Sequence, residues 1–282
     1  MNILSFDIEE WFHILDNETT KTKNEWSSYE CRIYNNAERI LDYLNEYNLK
    51  ATFFCLGWIA EKYPEVIRQI AEQGYEIGSH THLHQLLHEQ KPDEFREDLI
   101  KSVQTLEDIS GKKVKYFRAP GFSITEQNKW AFDILVEQGI EIDSSIFPAS
   151  RAHGGFPGYS HPGPSVMRYN GITIKELPVN AVSVFGRPFI FSGGGYFRLL
   201  PYWAIKQCTR RSEYIMTYFH PRDFDPGQPM VPGLSPLRKF KSYYGLKSAE
   251  KKFKRWISEY EFIDIKTADE MIDWETVPVV EL

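Results

Sequence analysis

Residues 51–78, ATFFCLGWIAEKYPEVIRQIAEQGYEIG, decide the fold class. An apolar run from Ala51 to Leu56 leads to Pro64. That proline opens a helical stripe of Val66, Ile67 and Ile70, which stops at Gly74, and Tyr75 to Gly78 starts a second β-like run. Proline suits the first helical turn because the N–H it lacks would be unpaired there, and glycine ends helices by taking the left-handed conformation. The stretch therefore reads strand, helix, strand.

The same alternation extends in both directions. Upstream, Asn2 to Phe6 reads as a buried strand ending in acids, and Ala37, Ile40, Leu41 and Leu44 form a helical stripe. Downstream, Phe95, Leu99, Val103 and Leu106 repeat at three and four, an amphipathic helix. Lys115 to Phe117 is a short strand, Lys129 to Gln138 a helix ending at Gly139, and Ile140 to Ile142 another strand. This β-α order predicts an α/β fold with a parallel sheet and helices outside it. In such folds the C-terminal ends of the strands converge on the site. Acids, histidines and an arginine each directly follow a predicted strand here, so the topology gathers them at one mouth.

Beyond Ser150 the pattern loosens. Ile172 to Leu177 is β-like, Tyr202 to Cys208 helical, and Tyr214 to Phe219 a strand ending at His220. Asp223 to Ser242 is rich in proline and glycine and reads as a surface loop. Glu250 to Ser258 is a helix, Phe262 to Ile265 a last strand and Ala268 to Ile272 a closing helix. No repeat or linker divides the chain.

Composition narrows the function. With 42% hydrophobic and 26% charged residues, the 282-residue chain is a globular protein with a substantial core. A net charge of −6 argues against nucleic acid as a partner. The one basic run, Lys247 to Arg255, is interleaved with Phe253 and Trp256 at helical spacing and reads as a solvated helix face. Cys31, Cys55 and Cys208 are far apart, which excludes a cysteine zinc site. No apolar stretch is long enough for a membrane span and no leader pattern is visible, so a cytoplasmic protein is the expectation. A homo-oligomer is compatible with all of this.

His80-Thr81-His82-Leu83-His84 follows the strand ending at Gly78. His80 and His84 share a face whether the segment is extended or helical; His82 joins them only if it is extended. Imidazoles suit zinc and similar divalent ions, and two histidines with one carboxylate leave a position for water. The third ligand is expected from Asp7-Ile8-Glu9-Glu10. On a strand Asp7 and Glu9 face the same way, which suits one as ligand and the other as base. A polar loop without metal is the competing reading of the histidines alone.

Taken in order, Phe6-Asp7-Ile8-Glu9, His80-Thr81-His82-Leu83-His84, Arg118-Ala119-Pro120 and Phe219-His220 resemble the motifs of NodB-like polysaccharide deacetylases, carbohydrate esterase family four. Asp143-Ser144-Ser145-Ile146-Phe147-Pro148, Gly193-Gly194-Gly195-Tyr196-Phe197-Arg198 and Tyr218-Phe219-His220-Pro221 resemble one branch, associated with bacterial exopolysaccharide clusters and carrying a C-terminal extension. The resemblance implies a distorted (β/α) barrel over residues 1–282, with 221–282 as the extension packed on it. It also implies hydrolysis of an N-acetyl group on a saccharide substrate with one divalent ion, zinc or else cobalt or nickel. Asp7 matches the general base. Glu9 matches the metal carboxylate beside His80 and His84, one methylene longer than the commoner aspartate, with Glu10 as the substitute. His220 matches the acid that protonates the leaving amine, and Asp143 is the candidate partner that orients it. Arg118 belongs to the same machinery.

The family often has an aromatic residue after the motif proline. Here Gly121 stands in that place, and its backbone N–H can still serve the oxyanion. Gly193 to Gly195 reads as a tight loop shaping the groove. Trp11, Phe12, Phe122, Tyr159, Tyr196 and Trp203 are candidate sugar platforms. A metal amidohydrolase on a small cyclic amide and a non-catalytic carbohydrate-binding protein are the alternatives.

Overall fold

The computed structural model of the chain describes every residue except 16, 152, 160, 185 and 186. Its strands are β1 (Asn2–Ile3), β2 (Ser5–Ile8), β3 (Thr52–Cys55), β4 (Glu76–Ser79), β5 (Tyr116–Phe117), β6 (Ile142–Asp143), β7 (Ser165–Tyr169) and β8 (Ile172–Glu176). They continue with β9 (Val182–Val184), β10 (Arg187–Phe189), β11 (Ile215–Met216) and β12 (Val279–Glu281). One eight-stranded sheet runs in the order β12-β7-β8-β6-β5-β4-β3-β2, and only the β7–β8 pair is antiparallel.

Residues 51–78 form the strand, helix and strand that their pattern predicts, with one further short helix, Gly57–Lys62, between the first strand and Pro64. β3 is buried throughout, Pro64–Glu72 is a helix with the proline in its first turn, and Gly74 has φ +85°. The longest helix, Pro92–Ser110, buries Phe95, Leu99, Val103 and Leu106 and ends at Gly111 in the left-handed conformation. Such an apolar stripe is what holds a helix against a sheet.

Register decides what the sheet presents. Cys55 pairs with Ser79, Ser79 with Phe117, Phe117 with Asp143, and Asp143 with Glu176. His80 and Arg118, each one residue past this row, therefore emerge at the same level. The β2 edge is lined by the chain around β11: Phe6 bridges Phe219, and Asp7 N donates to Phe219 O at 2.8 Å. Between β11 and the segment after β8 the link is a side chain, with Met216 N donating to Asn180 Oδ1 at 3.3 Å. The architecture is thus mixed α/β with a largely parallel, barrel-like sheet whose backbone ladder does not run unbroken around the described residues.

The main core joins both ends of the chain. Phe6 stacks on Phe53, and Phe219, Phe253 and Trp256 pack in the same cluster. Three readings of the second half change. The segment 223–242 is not only loop, since Pro236–Tyr243 is a helix whose Ser235 hydroxyl accepts from Arg238 N. Residues 262–265 make a single bridge, at Ile263. The closing helix begins earlier, at Ile265, because Asp264 caps it. Among the described residues no helix is long and apolar enough to cross a membrane.

Candidate active site

Arg118 organises the floor of the site. It is fully buried at the end of β5, over the Phe54 ring at 4.2 Å. Its Nη1 donates to Asp7 Oδ1 at 2.7 Å and Ser5 Oγ at 2.9 Å, and its Nη2 donates to Ser144 Oγ at 3.0 Å. One side chain thus ties β2 and the chain leaving β6 to β5. A buried arginine needs this full set of acceptors, because each unpaired guanidinium N–H would be costly.

The histidine segment is neither strand nor helix. Thr81 and His84 have φ +67° and +54°, so the chain turns sharply twice. Left-handed threonine is rare, and strain of this kind persists only where surroundings fix it. Here Asp98 accepts from His82 N at 2.6 Å and Leu83 N at 3.0 Å, and Thr81 Oγ1 accepts from His84 N at 3.2 Å. The turns aim both terminal histidines at Glu9. His80 Nδ1 lies 2.7 Å from Arg118 O and donates to it, which leaves the Nε2 lone pair free to face the site.

One donor atom each from Glu9, His80 and His84 lie within 4.8 Å of one another. His84 Nε2 approaches Glu9 Oε2 to 2.7 Å without hydrogen-bond alignment, and that oxygen is buried with no donor. Two imidazole nitrogens and an orphaned carboxylate oxygen converging on one point fit a divalent ion. Burial pushes His80 down to about 3, helped by His84, so it stays neutral, the form that can bind a metal ion. Burial raises Glu9, but His84, His220 and His80 outweigh it and hold the carboxyl below its ordinary range. His82 faces away, 3.2 Å from Glu61. Glu10 accepts from the N–H groups of Arg32 and Ile33, so Glu9 rather than Glu10 faces the histidines.

His220 stands opposite. Its Nε2 is 3.4 Å from Glu9 Oε1 and 3.8 Å from Asp7 Oδ2. Its Nδ1 is 3.1 Å from Asp223 Oδ2, and Asp223 Oδ1 is 3.0 Å from Arg198 Nε. Burial alone would lower His220, but Glu9, Asp223 and Asp7 raise it to about 9. Burial also opposes ionisation of Asp223, but Arg198 and His220 prevail and hold it down to about 2.

The expected partner of His220, Asp143, is therefore corrected to Asp223. Asp143 sits at the end of β6, where Ser145 Oγ donates to it at 2.5 Å and the register places Glu176 beside it. Burial lifts Asp143 to about 6 and pushes Glu176 well above its ordinary value. A local signal existed for Asp223: it stands three residues after His220, and its Oδ2 also accepts from His220 N at 2.9 Å, as a residue capping a helical turn does.

Gly121 lines the cavity with φ +62°, and a Cβ there would lie 2.8 Å from Leu15 Cδ1. The left-handed φ favours glycine, and any side chain there would have to displace Leu15. Gly193 lies against the strand it bridges, where a Cβ would come 2.3 Å from Tyr218 O. The glycine run is the entry to a short helix, Gly194–Leu199, rather than only a loop. Of the aromatic candidates, Phe122 and Tyr196 line the cavity of about 510 Å³. Trp11, Phe12 and Tyr159 are buried core residues, and Trp203 is 73% exposed outside the cavity lining.

Sequence reasoning missed His13. Its Nδ1 accepts from Glu10 N at 3.1 Å, so Nε2 carries the ring proton, and that N–H is buried without an acceptor. The ring lines the cavity beside His84, packed on Trp26 at 4.3 Å. No spacing or motif marks it.

Comparison with known proteins agrees with this geometry. A polysaccharide deacetylase model matches residues 18–140, and a domain of unknown function (DUF3473) matches residues 144–270. The chain carries a polysaccharide deacetylase domain. A peptidoglycan-N-acetylglucosamine deacetylase of Bacillus cereus is 35% identical over 137 residues, 47% of this chain and 50% of that protein. A chitooligosaccharide deacetylase of Azorhizobium caulinodans is 35% identical over 82 residues, 29% of this chain and 39% of that protein. The chain thus spans half or less of the length of these curated relatives.

In structure, a Mycobacterium smegmatis protein assigned to the polysaccharide deacetylases superposes with a TM-score of 0.69 at 19% identity, over 99% of this chain and 92% of that one. A CE4-family pseudoenzyme from Bacillus anthracis gives 0.51 at 15% identity, over 100% and 69%. A fold shared with a pseudoenzyme carries no activity by itself. The functional reading rests on the side chains.

Proposed function

We propose that this chain is a metal-dependent hydrolase that removes N-acetyl groups from the amino sugars of a bacterial polysaccharide or of its biosynthetic intermediate. The observation that carries the reading is one cavity holding three parts: the Glu9–His80–His84 donor set, Asp7 locked to Arg118, and His220 locked to Asp223. The reading extends to zinc as the ion and to an exopolysaccharide-associated branch. It also takes residues 1–282 as one catalytic unit with 221–282 as its extension.

A divalent ion held by Glu9, His80 and His84 supplies Lewis acidity toward an amide carbonyl. Everything else falls to the chain. Asp7, fixed by the 2.7 Å contact with Arg118, takes a proton from the attacking water. Gly121 lines the cavity, and we assign its backbone N–H to the developing oxyanion. His220 donates a proton from Nε2 to the amide nitrogen as the C–N bond breaks, giving acetate and a free amine. Asp223 keeps the Nδ1 proton in place and Arg198 keeps Asp223 ionised, so the ring faces the substrate in its acid form.

The test is acetate release from a panel of N-acetylhexosamine oligomers and small amides by protein loaded with zinc, cobalt or nickel. The reading expects release from the sugars, dependence on the ion, and its loss in Asp7→Asn with the ion still bound. Release from the small amides only, or none with any ion, refutes it.

A further inference from the structure

Among the described residues, cations at the rim of the same cavity outnumber the anions. The carboxylates lining it, among the described residues, are Asp7, Glu9 and Asp223. Asp7 pairs with Arg118 and Asp223 with Arg198, while Glu9 lies between His84 and His220. Three further arginines line the cavity, and among the described residues none has a carboxylate within ion-pair distance. Arg151 stacks over Phe147 at 4.4 Å and Phe122 at 5.1 Å. Arg222 donates from Nε to Gln228 Oε1 at 3.0 Å and lies over Tyr243. Arg238 donates from Nη2 to Leu15 O at 2.5 Å. Each of the three keeps one buried nitrogen with no acceptor: Nη1 of Arg151, Nη2 of Arg222 and Nε of Arg238. Lys241, one turn after Arg238 on the helix Pro236–Tyr243, adds a fourth cation to the lining.

A protein of net charge −6 has no general reason to gather four cations at one opening. Stacking on aromatic rings holds Arg151 and Arg222 in place without supplying a counter-charge. Guanidinium groups held this way are prepared for bidentate, charge-assisted bonds to carboxylate or phosphate. All four cations belong to residues 144–270, the segment matched only by a domain of unknown function.

We propose that this segment gives the cavity an anion-binding rim, and that the N-acetylated substrate carries a carboxylate or phosphate close to the reacting amide. The N-acetyl part rests on the function proposed above. The rim does not, because it follows from the unpaired arginines alone.

The experiment is calorimetric binding to the full chain, zinc-loaded and carrying Asp7→Asn so that no turnover intervenes. Three probes separate the sources: a hyaluronan tetrasaccharide with carboxylates, uridine diphosphate N-acetylglucosamine with phosphates, and neutral tetra-N-acetylchitotetraose. In low salt, at least one anionic probe is expected to bind about tenfold or more tightly than the neutral one, the scale of one charged hydrogen bond. The preference is expected to shrink to less than about threefold in half-molar sodium chloride, where charges are screened. Arg151→Gln and Arg238→Gln should each reduce it, with zinc content and melting temperature retained. The arm that shows the preference identifies carboxylate or phosphate.

Equal or tighter binding of the neutral probe overturns the proposal, as does a preference indifferent to salt or binding of neither anionic probe. The two readings fail separately. An anion preference with no acetate released by wild type sinks the deacetylase and keeps the rim. Acetate released equally from charged and neutral sugars does the reverse.

Discussion

Residues 18–140 and 144–270 contribute to the cavity in different ways. The first region is a regular β-α alternation, and its functional groups arrive one residue past a strand: His80 after β4 and Arg118 after β5. The second is irregular, and its groups arrive by packing. His220 is brought to Asp7 because Phe219 bridges Phe6, and Asp223 is held by Arg198 from a different helix. Strand ends position residues through backbone register, which sequence pattern reveals. Packed loops position them through side-chain contacts distant in sequence, which it does not.

If this division is right, substitutions around the strand ends should have the larger effects. Asp7→Asn should lower kcat by about 10³- to 10⁴-fold, the upper range for a lost general base, with zinc content unchanged by metal analysis. Glu9→Ala should lose both zinc and activity, since it removes one of three donors. Retained stoichiometric zinc in Glu9→Ala would break the assignment of the donor set.

Within the second region the contrast is Asp223 against Asp143. Asp223→Asn should cut kcat by about 10- to 100-fold, because His220 loses the acceptor on Nδ1. Asp143→Asn should stay within about fivefold, because Asp143 lies beside Glu176 and not beside His220. The opposite order would restore Asp143 as the partner.

Asp143 and Glu176 should instead appear in the pH dependence of stability. Both have folded-state values raised by burial, Asp143 to about 6 and Glu176 well above its ordinary value. A raised acid binds its proton more tightly when folded, so its contribution is greatest below the unfolded value near 4. It is lost as pH rises through 6 and beyond. Chemical denaturation between pH 4 and 8 should show stability falling, by on the order of 3 kcal/mol from Asp143 alone, and Glu176→Gln should flatten the slope. A slope unchanged in that variant would remove the pair as its cause.

The smallest effects separate the aromatic candidates. Tyr196→Ala, at the cavity, should raise KM severalfold. Trp203→Ala, 73% exposed outside the lining, should change neither KM nor stability by more than about 0.5 kcal/mol.

Much of the site was legible because it depends on local geometry. Proline and glycine at the ends of Pro64–Glu72, and the apolar stripe of Pro92–Ser110, set helix boundaries through backbone constraints carried by those residues themselves. The strand order then placed His80, His84 and Arg118 at one end. That route brought the candidate ligands together, while the reading of them as a metal site also needed the acids of the first strand and the family resemblance.

Tertiary structure decided the rest. The sharp turns at Thr81 and His84 depend on Asp98, a residue of a neighbouring helix. The choice of Glu9 over Glu10 depends on where the N–H groups of Arg32 and Ile33 fall. Asp223, His13 and the arginine rim matter because of what lies beside them in space. A side chain's spacing in the chain records which way its backbone points. Its ion-pair and hydrogen-bond partners are set by contacts between distant segments, and those exist only once the core of Phe6, Phe219 and Trp256 has closed.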